Sequence, residues 1–96
     1  LVHSMSRSLK EEVLFDRNNV TSVDWRTYPV TKWSEVPTQV DILLLNHPEI
    51  APSGAGEPAS RNTPAAIANA IFDAIGVRLR QAPFTPARVK AAILNA

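Results

Sequence analysis

Between Gln39 and Asn46 the chain runs Val40-Asp41-Ile42-Leu43-Leu44-Leu45. In a strand, successive side chains point to opposite faces. Val40, Ile42 and Leu44 then share one face, which is wholly apolar, and Asp41, Leu43 and Leu45 share the other, which is nearly so. A strand apolar on both faces belongs inside a sheet covered on both sides. A chain of 96 residues has little material from which to build both covers. The feature therefore predicts more apolar surface than the chain can bury. The start points the same way. Leu1 stands where an initiator Met is expected, and Leu1, Met5, Leu9 and Val13 recur at helical spacing with nothing upstream to cap them. Both features lead to the expectation of a piece of a longer protein, from mid-domain to a natural C-terminus, with no complete independent domain.

The remaining elements follow from local chemistry. Residues 1–12 read as a helix. Val13-Leu14-Phe15, a turn at Asp16-Arg17-Asn18-Asn19, and the alternating Val20-Thr21-Ser22-Val23-Asp24-Trp25 read as a hairpin. Pro29 and Pro37 keep the next stretch irregular, and residues 47–62, with Pro48, Pro52, Pro58, Gly54 and Gly56, read as a long loop. Thr63-Pro64 supplies a cap and a first-turn proline, which predicts a helix from there to Ile75, stopped by Gly76. That helix is apolar nearly all round, with only Asn69 and Asp73 interrupting it, so it is expected to be buried. Thr85-Pro86 repeats the device for a last short helix. The fold class expected is α+β: a mixed sheet of the hairpin and the central apolar strand, packed by two to three helices.

Composition removes several function classes. Ten Lys and Arg against nine Asp and Glu leave a charge of +1, with no basic excess for nucleic acid or an anionic membrane. With no cysteine, the chain holds no disulfide, no iron–sulfur ligand, no zinc–thiolate site and no cysteine nucleophile. His3 and His47 lie too far apart in sequence to suggest a ligand set, so no metal ligands are assigned. No apolar stretch reaches the ~20 residues of a membrane span.

The segment with chemical content is Ser53-Gly54-Ala55-Gly56-Glu57-Pro58. Two glycines around one small residue let backbone approach a ligand closely, and a carboxylate follows at once. Such a loop suits a bulky cofactor meeting a general base. It does not suit phosphate, because Glu57 repels it, the loop is poor in glycine, and five residues are expected to separate Glu57 from the helix start at Thr63. By itself the segment reads as an ordinary turn before it reads as an active site.

A wider pattern adds to it. Gly54-Ala55-Gly56-Glu57-Pro58, then Thr63-Pro64-Ala65-Ala66-Ile67-Ala68-Asn69-Ala70-Ile71, then Asp73-Ala74-Ile75-Gly76-Val77-Arg78-Leu79, resembles the C-terminal end of the molybdenum-binding subunit of the xanthine dehydrogenase/aldehyde oxidase family, most nearly its bacterial isoquinoline 1-oxidoreductase-like and nicotinate dehydrogenase-like branch. The resemblance is specific from Ala55 to Arg78 and loose before Trp25. It implies a fragment of the molybdopterin-binding domain and a parent enzyme that hydroxylates an aldehyde or an N-heterocycle with oxygen from water. It implies a molybdenum–pyranopterin cofactor, in bacteria usually the cytosine dinucleotide form, carried by the parent and not expected on the fragment. It makes Glu57 the general base and sets Gly54, Ala55 and Gly56 against the cofactor. The implied partners are the remainder of the molybdenum subunit and an iron–sulfur subunit, with a cytochrome c subunit as an option. The chain alone is expected to be inactive and prone to self-association, and its compartment, cytoplasmic or periplasmic, stays open. Where the family often has glycine, this chain has Ser53, and Ala59-Ser60-Arg61-Asn62 departs from the family's apolar pattern.

Other residues have plainer uses. Trp25, Tyr28 and Trp33 suit packing against further structure better than ligand stacking, and Arg78 and Arg80 read as one solvated face. The competing reading of the whole chain is a non-catalytic interaction module whose prolines and aromatics form a docking surface.

Overall fold

The computed structural model describes all 96 residues. Three helices form: α1 (Val2–Leu9), α2 (Pro58–Ile75) and α3 (Pro86–Leu94), with one short 3-10 turn at Trp33–Glu35. The radius of gyration is 16.7 Å. A close-packed chain of this length has about 12–13 Å, so a large part of this one is extended.

The centre of the molecule is α1, and its buried side chains are Ser4, Ser6 and Ser8 rather than the apolar stripe. Leu1 and Val13 are exposed, while Met5 and Leu9 are half-buried. Small side chains let neighbouring backbone come close, and each hydroxyl then meets a main-chain partner. Ser4 Oγ donates to the Ser60 carbonyl of α2 at 2.7 Å. Ser6 Oγ accepts from the Thr31 amide at 2.9 Å. Ser8 Oγ turns back to the Ser4 carbonyl at 2.6 Å, while the Ser8 carbonyl accepts from the Phe84 amide at 2.7 Å. Thr63, Leu79, Pro83 and Phe84 complete the buried set. Arg88 of α3 reaches both carboxylate oxygens of Glu12 at 2.7 and 2.9 Å and the Pro83 carbonyl at 3.1 Å, which clamps α3 to the exit of α1.

The main correction to the sequence reading concerns α2. It starts at Pro58, not at Thr63, and Pro64 lies inside it. Pro58 takes the first-turn position where a missing N–H costs nothing. Pro64 should then break the helix, because it offers no N–H to the carbonyl four residues back, that of Ser60. That carbonyl is the one Ser4 Oγ fills. Thr63, expected as a cap, is instead buried and donates to the Ala59 carbonyl at 3.0 Å. The end of α2 matches expectation: Gly76 has φ +72 and its amide returns to the Phe72 carbonyl. In α3 the Thr85 hydroxyl accepts from the Arg88 amide, as its cap position predicts.

Within these residues no sheet forms. The turn at Asp16–Asn19 is present, with Asp16 Oδ1 accepting from the Asn18 and Asn19 amides at 2.7 and 2.8 Å. These bonds hold the Asp16 carboxyl below its ordinary pKa. Across it stand one isolated bridge, Phe15–Val20, and the Thr21 and Ser22 amides, which donate to the Leu14 carbonyl at 2.7 and 3.3 Å; no longer ladder forms. The returning strand ends early because Asp24 starts a second turn: its carboxylate accepts from the Arg26 and Thr27 amides. Residues 39–46 are extended and unpaired, and the expected burial of α2 is not met, since Phe72 is exposed and Ile67, Ile71 and Ile75 are only half-covered.

Candidate functional site

The loop Ser53–Glu57 leads directly into α2. Gly54 has φ +92, a conformation open to glycine and strained for other residues. No atom lies within 4 Å of where a Cβ would stand on Gly54 or Gly56, so both present bare backbone to open space. Glu57 precedes the first residue of α2 and is exposed. Its backbone carbonyl accepts from the Ser60 amide at 2.8 Å and the Ser60 hydroxyl at 2.6 Å. Its carboxylate has no hydrogen-bond or ion-pair partner within the chain, whereas Glu11, Glu12, Glu35 and Glu49 each have one.

The position of Glu57 depends on two residues that the motif does not mark. Ser60 ties down the Glu57 carbonyl, and Ser4 ties down the Ser60 carbonyl. The signal for them lies in Pro64. A proline four residues after Ser60 leaves one carbonyl without its helical donor, and a serine-rich helix elsewhere in the chain can supply another.

The other candidates disperse. His47 Nδ1 lies 2.9 Å from Glu49, both exposed, and no three His, Asp or Glu side chains come together anywhere in the chain. Arg78 does more than face solvent: its guanidinium lies 4.0 Å over the Phe72 ring and donates to Asn69 Oδ1 at 2.6 Å. Trp25 and Trp33 stand free in solvent. Tyr28 donates to Glu11 Oε2 at 2.9 Å, which with partial burial raises its pKa. No helix is long and apolar enough to cross a membrane.

Comparison with known proteins supplies what the geometry lacks. The chain is 45% identical over 97% of its length to a nicotinate dehydrogenase component from Pseudomonas putida. It is 39% identical over 86% of its length to a membrane-bound aldehyde dehydrogenase of Gluconacetobacter polyoxogenes, whose name specifies pyrroloquinoline quinone. It is 29% identical over 96% of its length to an Escherichia coli protein named as a probable hypoxanthine oxidase. All three are oxidoreductases by name. These names fit the xanthine dehydrogenase family that the loop and helix motifs resemble. The chain spans only 8%, 11% and 10% of these relatives. No protein-family model matches the chain, and no solved structure does.

Proposed function

We propose that these residues form part of the molybdenum-binding subunit of a hydroxylase, near the isoquinoline 1-oxidoreductase-like branch, and that they supply its active-site carboxylate. The observation that carries the reading is Glu57: an unpartnered, exposed carboxylate directly after two glycines with open space around them. The residues fit the cofactor as one wall of its site. They offer bare backbone at Gly54, Ala55 and Gly56 for close approach, and no converging side chains to ligate the metal, so the group is held from outside this chain. When bound, molybdenum–pyranopterin supplies the redox centre and activates water-derived oxygen for insertion into an aldehyde or an N-heterocycle. Glu57 Oε1 or Oε2 takes the proton that this oxygen must lose before it attacks carbon. Ser60 and Ser4 hold the backbone beneath that carboxylate. Electrons leave through an iron–sulfur subunit, with or without a cytochrome c subunit; these 96 cysteine-free residues themselves supply no cluster ligand.

The test places this chain in the protein it resembles. In a chimaera, these 96 residues replace the matching part of the Pseudomonas putida relative. Glu57→Gln should lower kcat by about 10²–10⁴-fold, the usual contribution of a positioned base, with molybdenum and pterin content unchanged. Undiminished turnover in Glu57→Gln refutes the assignment. Full turnover with no molybdenum, and with extractable quinone, refutes the cofactor in favour of the type named for the Gluconacetobacter relative.

A further inference from the structure

The segment Gln39–Asn46 carries the largest unexplained feature of the molecule. Ile42, Leu43, Leu44 and Leu45 are 79%, 84%, 86% and 74% exposed, so apolar side chains of both parities stand in solvent. No backbone N–H or C=O between Pro37 and Asn46 takes part in a hydrogen bond within the chain. The polar residues stand towards the two ends: Gln39 Nε2 donates to the Asp41 carboxylate at 3.0 and 3.1 Å, and Asn46 closes the other end. Pro37 and Pro48 bound the segment, and a proline cannot extend a ladder inward. The length left between them suits one ordinary strand.

These facts specify the occupant. An extended segment with both hydrogen-bonding edges empty needs a strand on each side. A segment with apolar side chains on both faces needs cover above and below. A second copy of this chain, pairing edge to edge, fills one edge of each segment and covers neither face. The apolar groove of about 470 Å³ among Leu9, Ile67, Phe84, Val89 and Ile93 has no strand to offer. The relatives are many times longer than this chain, which spans 8% of the Pseudomonas putida protein.

We infer that residues 39–46 enter as an interior strand between two strands of the remainder of the same subunit, in a sheet covered by apolar structure on both sides. The inference rests on the reading of the chain as part of a larger subunit. The slot that receives it is apolar on both faces along Ile42 to Leu45, and nearer its N-terminal end it must leave Asp41 solvated or paired. Docking also completes the site loop. Residues 47–57 are held at their far end by α2 through Ser60, and the strand holds their near end, so Ser53–Glu57 is pinned on both sides only in the assembled subunit.

Hydrogen exchange tests this in the chimaera described above and, in parallel, in the unaltered Pseudomonas putida protein at the aligned segment. The second arm reads out even where the chimaera does not fold. The 39–46 amides should exchange at the unprotected rate in the 96-residue chain alone. They should be slowed by about 10³-fold or more in the full-length protein, as core strands are. Leu43→Lys and Leu44→Lys, one on each face, should each sharply reduce the yield of folded protein. Unprotected exchange in the full-length protein overturns the inference. So does protection already present in a dimer of the isolated chain, which makes a second copy the partner. Sensitivity at only one of the two leucines overturns the doubly covered strand. None of these readouts depends on the cofactor: protection without molybdenum refutes the functional reading alone, and turnover without protection refutes the strand alone.

Discussion

Replacing Ser4 by Ala removes one hydroxyl and strands one carbonyl. The Ser60 carbonyl has no helical donor because Pro64 lacks an N–H, and its partner is Ser4 Oγ at 2.7 Å. Leaving a buried acceptor unpaired costs about 1–3 kcal/mol, and this one is only partly buried, so the low end applies. Alanine is the better helix former by up to about 0.5 kcal/mol, which offsets part of the loss. The net expectation is a destabilisation of about 1 kcal/mol, roughly a fivefold change in the folded-to-unfolded ratio. The same geometry predicts a rescue. Pro64→Ala restores an N–H at the position that faces the Ser60 carbonyl, so Ser4→Ala should cost almost nothing in that background. Urea unfolding followed by helical circular dichroism on the wild type, both single variants and the double variant gives the coupling energy. A Ser4→Ala cost that is the same in both backgrounds, within about 0.3 kcal/mol, refutes the idea that the serine substitutes for the proline's missing donor.

Two further outcomes follow from local geometry. Gly76→Ala meets no steric obstacle but must hold φ +72, so it should destabilise the C-terminal end of α2 by about 1 kcal/mol, read as earlier fraying of residues 72–76 in amide exchange. The Asp16 carboxyl is held below its ordinary value of 3.8 by the Asn18 and Asn19 amides, so it favours the folded turn above that pH and loses that contribution as pH falls through its lowered pKa. The amide shifts of Asn18 and Asn19 should therefore titrate together below pH 3.8 and stay flat above it. An inflection above 3.8 in those shifts contradicts the bonding.

How much of the fold is legible in the sequence depends on how local the cause is. The stop at Gly76, the Thr85 cap and the Asp16 turn are readable because each is set by residues within a few positions of one another. The start of α2 departs from its sequence expectation for the opposite reason. The residue that makes an interior proline tolerable lies 56 positions away, on another helix. The stripe of α1 departs in a related way: hydrophobic spacing marks Leu1, Met5 and Leu9, whereas backbone approach selects the small serines between them. For the candidate site, the motif alone points to Glu57 and its glycines, and the structure adds the Ser60 and Ser4 supports beneath it.

Local sequence is enough for the composition of the site loop, the stop of α2, the cap of α3, and a segment too apolar for a chain of this length to cover. Those follow from side-chain chemistry, backbone freedom and strand parity, which are properties of neighbouring residues. Long-range contacts, by contrast, set the run of α2 through Pro64, the serines at the centre of the fold, and the free edges and faces of residues 39–46. These depend on which distant groups meet, because an orphaned carbonyl or an uncovered leucine is defined by what stands opposite it.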